Sequence, residues 1–178
     1  GVQQALAALR ARGLQLALIS GDNAGAALAM GQRLGLQDDE IHAEVLPAQK
    51  TEWVKRLQVQ AHEQGKTVIF VGDGINDAPA LAAADVGMAM ANPDGGGTDV
   101  AMGSAGITLM RGDVALVAEA IDISSRTVAK IRQNLFWAFI YNVIGIPLAA
   151  DGLLHPMYGA AAMALSSLFV VTNSLRIK

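Results

Sequence analysis

The chain has 178 residues, 52% of them hydrophobic and 16% charged, with a formal net charge of −3 and a positive mean hydropathy. This is too apolar for a typical soluble domain of that charge content. Cysteine is absent, which excludes a disulfide framework and a thiolate metal site within the chain, and no basic patch with interleaved aromatics suggests nucleic acid.

The start reads without a signal peptide, and Val2 to Arg12 as part of an amphipathic helix already under way. Leu14 to Ile19 follows as a buried strand, ending at Ser20 Gly21 Asp22 Asn23 before an alanine-rich helix from Ala24 to Leu34. A hydroxyl at a strand end and the amides of a helix N-terminus both donate to a phosphate oxygen, and the helix dipole favours the anion. The same four residues equally suit a plain helix cap. After a strand at 41–45, Pro47 of Leu46 Pro47 Ala48 Gln49 Lys50 pre-sets the first turn of a helix running to about Gln64. Lys50 then sits in that first turn, where a cation opposes the dipole, so it either reaches solvent or serves an anion.

Thr67 to Val71 has the continuous β-branched and aromatic run of a buried parallel strand. It feeds Gly72 Asp73 Gly74 Ile75 Asn76 Asp77 Ala78 Pro79 Ala80 Leu81, two carboxylates and an amide on a glycine-bent loop. Open α/β sheets place ligands at such strand ends, and Mg2+ prefers one or two carboxylates plus substrate oxygens to an all-protein cage. Asp73 is the better ligand candidate, with Asp77 close behind; the Gly-Asp-Gly by itself also marks ordinary turns. Further strands at 85–90 and 105–110 complete an alternating pattern to Gly112, predicting a doubly wound parallel sheet. Between them, Asn92 to Asp99 is a glycine-rich loop.

From Asp113 the pattern becomes a long helix with Val117, Ala120, Ile121 and Ile123 on one side. Charged residues are frequent as far as Arg132, after which only Asp151 interrupts until Arg176. Leu135 to Leu154 and Met157 to Leu175 are two apolar stretches near bilayer thickness, predicted as a transmembrane hairpin. Lys and Arg flank the outer ends of the pair while the 151–156 connection has neither, so the hairpin is expected to start and end in the cytoplasm. Tyr141 and Asn142 interrupt the first stretch; Met163, Ser166 and Ser167 share one side of the second at i, i+3 and i+4. Serine and asparagine also glue membrane helices, and methionine fills gaps.

The string Val71 to Leu81 resembles the hinge signature of P-type ATPases, ion pumps that pass through an aspartyl phosphate on a haloacid dehalogenase-like domain. The family carries Thr-Gly-Asp where this chain has Ser20 Gly21 Asp22, a Pro-x-x-Lys matched by Pro47 and Lys50, and a Gly-x-Gly-Thr-Asp resembled by Gly95 to Asp99. Tyr141 Asn142 in one helix with Met163, Ser166 and Ser167 in the next resemble the signature of copper(I) pumps in the heavy-metal class. A thioether is soft and selects Cu(I) over hard cations.

The resemblance implies a division into a phosphorylation-domain part at 1–112, a stalk helix at 113–134 and a membrane hairpin at 135–178. It implies ATP at Ser20, Gly21, Asp22 and Lys50, and Mg2+ at Asp73 and Asp77. Asn76 and Asp77 would order the catalytic loop, and Cu(I) would lie at Tyr141, Asn142, Met163 and Ser167. The nucleophilic aspartate of Asp-Lys-Thr-Gly is not in this sequence, nor is the intramembrane Cys-Pro-Cys. Both are expected upstream, in a longer pump with actuator and nucleotide-binding domains and further transmembrane helices. The implied setting is the lipid bilayer of the plasma membrane, with the phosphorylation domain in the cytoplasm and a copper chaperone as partner. The rival expectations are a Zn2+ or Co2+ pump, a soluble haloacid dehalogenase-like phosphatase, and a regulatory fragment without catalysis.

Overall fold

A computed structural model describes residues 1–91, 98–152 and 155–176; of the expected glycine-rich loop at Asn92 to Asp99, Asn92 to Gly97 lie outside them. The chain divides into two compact units, Gly1–Glu119 and Ala120–Lys178.

The first unit alternates helices and strands as the apolar patterning predicts. Helix α1 (Val2–Ala11) leads to β1 (Leu18–Ile19), α2 (Ala24–Arg33), β2 (Ile41–His42) and α3 (Pro47–Glu63). Then come β3 (Ile69–Gly72), α4 (Ala78–Ala83), β4 (Val86–Met90), α5 (Thr98–Ser104) and β5 (Ile107–Leu109). All described strand pairings are parallel: β1 pairs with β2 through Leu18 opposite Ile41, and β4 lies between β3 and β5. The single sheet expected from the sequence is therefore divided, by hydrogen bonding, into a two-stranded and a three-stranded piece. The cause is length: of the apolar runs 14–19 and 41–45, only two residues each form a ladder, and no described strand joins that pair to β3.

Local chemistry sets the boundaries. Asn23 is the N-cap of α2, its Oδ1 accepting from Ala26 N at 2.9 Å, and α3 begins with Pro47 while the Gln49 side chain accepts from Leu46 N at 3.0 Å. Leu81, Ala89 and Ala101 form the core over which Phe70, Met102 and Ala105 pack. Gly87 on β4 is required by this packing, because a Cβ there would collide with the Leu81 carbonyl, which is backbone and cannot swing away.

Helix α6 (Ala115–Ala150) runs without a break through the position where stalk and first apolar stretch were expected to meet, and α7 (Pro156–Ser174) follows. Within the second unit, α7 starts with Pro156 at its first turn and His155 as N-cap, the imidazole accepting from Met157 N at 3.4 Å. Trp137 of α6 meets Phe169 of α7 edge to face, with ring centroids 5.8 Å apart. Both helices stand where the apolar stretches predict them, but the expectation of two membrane spans needs correction. No helix of the described residues is long and apolar enough to cross a membrane. Gln133 and Asn134 border the apolar run of α6 and Tyr141 and Asn142 interrupt it, as Ser166, Ser167, Thr172 and Asn173 do that of α7.

Candidate functional site

The carboxyl end of β3 delivers Gly72, Asp73 and Gly74 into a 3-10 turn over Ile75–Asp77, from which α4 departs. The turn folds Asp77 back beneath the loop. Its carboxylate, in a residue only 7% exposed, accepts from Gly74 N at 3.4 Å through Oδ2 and pairs with Lys50 Nζ at 2.7 Å through Oδ1. A largely desolvated carboxylate needs such partners, because an unpaired charge at that depth is costly. Gly72 makes the arrangement possible: a Cβ there would lie 2.8 Å from Asp77 Oδ2. Asp73 and Asn76 are on the outside of the same turn, exposed, and neither side chain makes a hydrogen bond or ion pair among the described residues. The two carboxylates thus have different surroundings. Asp77 is held inside by a cation; Asp73 is open to a ligand.

Ser20 and Asp22 occupy the equivalent strand end after β1. Ser20 Oγ donates to Asp22 Oδ2 at 2.9 Å and accepts from Asp22 N at 3.1 Å, so the hydroxyl and carboxylate form one closed turn. The helix-capping role belongs to Asn23 alone, which leaves Ser20 and Asp22 free of that duty. Their loop is stitched to the segment after β2: Ser20 N donates to His42 O at 2.8 Å, Glu44 N to Asp22 O at 2.9 Å, and Val45 N to Ser20 O at 3.0 Å. Glu44 adopts a positive φ of 55° to turn the chain there, and Val45 leads through Leu46 directly into the first turn of α3, where Lys50 stands. Three sequence-distant segments are so joined in series, from the Ser20 turn through the 42–46 backbone to Lys50 and on to Asp77. Chemically this is a fixed ammonium, an exposed carboxylate on the loop whose Asp77 pairs with it and, connected through the 42–46 backbone, a serine hydroxyl bonded to Asp22 at the end of β1. Such a set suits a phosphoryl group and a hard cation.

One feature has no counterpart in the sequence reading. His42 stacks on Trp53 with centroids 4.2 Å apart, and the Arg56 guanidinium lies 5.7 Å from the Trp53 centroid, at a cleft of 390 Å³ that Glu44, Gln49 and Glu52 also line. Burial pushes the His42 imidazole below its usual value, with Asp39 opposing more weakly. The available signal was Trp53 three residues after Lys50, hence on the same side of α3.

In the second unit, Tyr141 and Asn142 lie on α6 and Met163, Ser166 and Ser167 on α7, with Met163 75% exposed. No hydrogen bond or ring contact joins the two sets among the described residues. No group of three or more His, Cys, Asp or Glu able to hold a metal occurs among the described residues either. The neighbourhood that sequence reasoning missed is around Asn173, a buried amide on α7; an asparagine in an apolar helix was the signal for it.

The family described as haloacid dehalogenase-like hydrolase matches residues 1–85. The chain is 50% identical over 175 residues to a probable copper-importing P-type ATPase A of Enterococcus hirae, covering 98% of this chain and 23% of that protein. It is 48% identical over 176 residues to a copper-exporting P-type ATPase of Staphylococcus aureus, covering 99% of this chain and 21% of that one. Its structure is similar to the crystal structure of a zinc-transporting PIB-type ATPase in the E2.Pi state, with a TM-score of 0.84 at 34% identity over 98% of this chain and 27% of the other. The chain spans under a quarter of the length of the curated relatives it matches.

Proposed function

From the premise that this chain belongs to the P-type ATPases, we propose that it supplies part of the phosphorylation site and of the ion path of an ATP-driven pump that exports Cu(I), and Ag(I) with it. The observation that carries the reading is the Lys50–Asp77 pair. It joins two motifs 27 residues apart into one charged site at the end of β3.

In this reading an aspartate outside the present sequence attacks the ATP γ-phosphorus, forming an aspartyl phosphate as the bond to the bridging oxygen breaks and ADP leaves. Lys50, fixed by Asp77, lends its charge to the transferred group, and Ser20 donates to a phosphate oxygen by turning its one O–H away from Asp22, its partner here. Asp73 fits a Mg2+ ligand because it is exposed and unpaired at the strand end; Asp77 is already matched by Lys50 and reaches a metal only by sharing that cation. Mg2+, when bound, neutralises charge on the phosphoryl oxygens. Asp77 orders the loop beside them, and Asn76 stands exposed on the same turn, its amide open to a ligand. Residues 1–112 then belong to the phosphorylation domain, 113–134 to a stalk and 135–178 to the ion path, where Tyr141, Asn142, Met163 and Ser167 face Cu(I). The whole pump would act at the plasma membrane, phosphorylation domain in the cytoplasm, with actuator and nucleotide-binding domains, further helices and a copper chaperone as partners. In the complete pump Asp73→Asn should abolish the Mg2+-dependent acid-stable phosphoenzyme; phosphoenzyme at the parent level would remove Asp73 from the site.

A zinc pump is the second reading, favoured by the structural likeness to a zinc-transporting relative. ATP hydrolysis by the complete pump separates them. Copper predicts stimulation by Cu(I) or Ag(I), weakened in Met163→Leu at equal expression, since leucine keeps the volume and removes the soft donor. Stimulation by Zn2+ or Co2+ alone would overturn the copper assignment.

A further inference from the structure

Asn173 is 7% exposed, and its side-chain amide is directed at α6. Oδ1 accepts from Lys130 Nζ at 3.0 Å, while Nδ2 donates to Asn134 Oδ1 at 2.7 Å and to Gln133 Oε1 at 3.1 Å. Asn134 Nδ2 donates in turn to Ser174 Oγ at 2.9 Å. Both amide donors of Asn173 are used, so the network is satisfied rather than strained. An apolar side chain would fill the same space with no desolvation cost. The best-attested gain from a buried polar residue between helices is a fixed register.

The register can be read outward from this point. Asn134 and Trp137 ascend α6 while their partners Asn173 and Phe169 descend α7, so the helices run antiparallel here. Tyr141 follows Asn134 by seven residues and Ser166 precedes Asn173 by seven, which is about 10 Å along each helix at ~1.5 Å per residue. Seven residues are also two turns, so Tyr141 keeps the side of Asn134 and Ser166 the side of Asn173. Asn142 adjoins Tyr141, and Ser167 and Met163 flank Ser166. The two polar groups of the ion-path reading are brought to one height although no hydrogen bond links them.

We propose that Lys130, Gln133, Asn134, Asn173 and Ser174 form a polar clamp whose role is positional: it sets the axial register of α6 against α7 and so brings Tyr141 and Asn142 level with Ser166 and Ser167. The ligand served rests on the metal-pump reading; the register does not. A leucine in place of Asn173 keeps the helices packed and removes the teeth, leaving neighbouring turns of α7 nearly equivalent.

The chain has no cysteine, which allows pairs to be introduced one at a time. In the full chain, a short bifunctional thiol reagent should join Tyr141→Cys to Ser166→Cys in preference to Ala162→Cys, one turn away. Adding Asn173→Leu should lower that preference about tenfold, which corresponds to roughly 1.4 kcal/mol of lost polar pairing. An unchanged preference overturns the clamp. If the leucine variant does not accumulate, Lys130→Met in the same pairs carries the test, with the same loss expected and the same unchanged result fatal. Cu(I)-stimulated hydrolysis by the complete pump is read separately. Its absence in the parent protein, with the register preference clamp-dependent, would sink the copper reading and leave the clamp standing; its presence, with the preference insensitive to both variants, would do the reverse.

Discussion

At Gly72 the side chain that is missing decides what the loop can hold. A methyl group there would enter the space of the Asp77 carboxylate, whereas one on Gly74, whose φ is −105°, would lie an ordinary 3.7 Å from Asp77 Oδ2. Gly72→Ala should therefore destabilise by about 1–3 kcal/mol through overpacking, and Gly74→Ala should be close to neutral. Urea unfolding of the two variants, followed by Trp53 fluorescence, checks the difference; equal losses would mean that the loop shifts to absorb either methyl. Lys50 belongs to the same arrangement. Removing its charge in Lys50→Met leaves a carboxylate with 11% side-chain exposure unpaired, which should cost about 1–3 kcal/mol after allowance for residual solvent. A double variant with Asp77→Asn should recover much of that loss. That recovery separates a pairing role from simple packing, and failure to recover would locate the cost in the lost aliphatic stem. Asp77 was read from the sequence as a second metal ligand; its depth and its lysine were not readable, because both depend on α3 folding over the end of β3.

Elements are tied to each other at their ends. His62, near the end of α3, pairs with Asp85 at 2.9 Å just before β4, and Asp85 also accepts from Val68 N at 2.8 Å. The Val68 amide, then His62, hold the Asp85 carboxyl below its ordinary value, and Arg10 does the same for Glu40. Their contributions are present above the usual carboxylate range and fade only as the pH falls through it. His42 acts in a higher window and with the opposite origin. Burial against Trp53 keeps it neutral in the fold, so on acidification the unfolded chain takes up its proton first and stability declines below about pH 6.5. His42→Phe retains a ring to stack on Trp53 and does not titrate. Between about pH 7.5 and 5.5 its unfolding midpoint should fall less than that of the parent. Parallel declines would show that the stacked imidazole is not the titrating group.

For the molecule as a whole, the proposed phosphoryl-transfer role gives a direct prediction. Lys50, Asp73 and Ser20 are present but no aspartate is followed by lysine, so this chain alone should form no acid-stable phosphoenzyme with γ-labelled ATP. Labelling of the isolated chain would mean that another of its carboxylates is the nucleophile. The sequence alone determined the alternation of helices and strands, the strand-end loops at Ser20 and Asp73, the helix start at Pro47 and the two long apolar helices. Each is encoded within a few neighbouring residues by period, cap or turn chemistry. Only the tertiary structure decided the rest: the division of the sheet, the burial of Asp77 under Lys50, the stacking of His42 on Trp53 and the Asn173 clamp. Those depend on contacts between residues from 11 to 43 positions apart, where side-chain packing chooses the partner and local pattern carries no signal. The apolar helices show the converse limit. Their length was legible from hydropathy, but that Gln133, Asn134 and Asn173 pair with one another across the two helices is settled only by the fold.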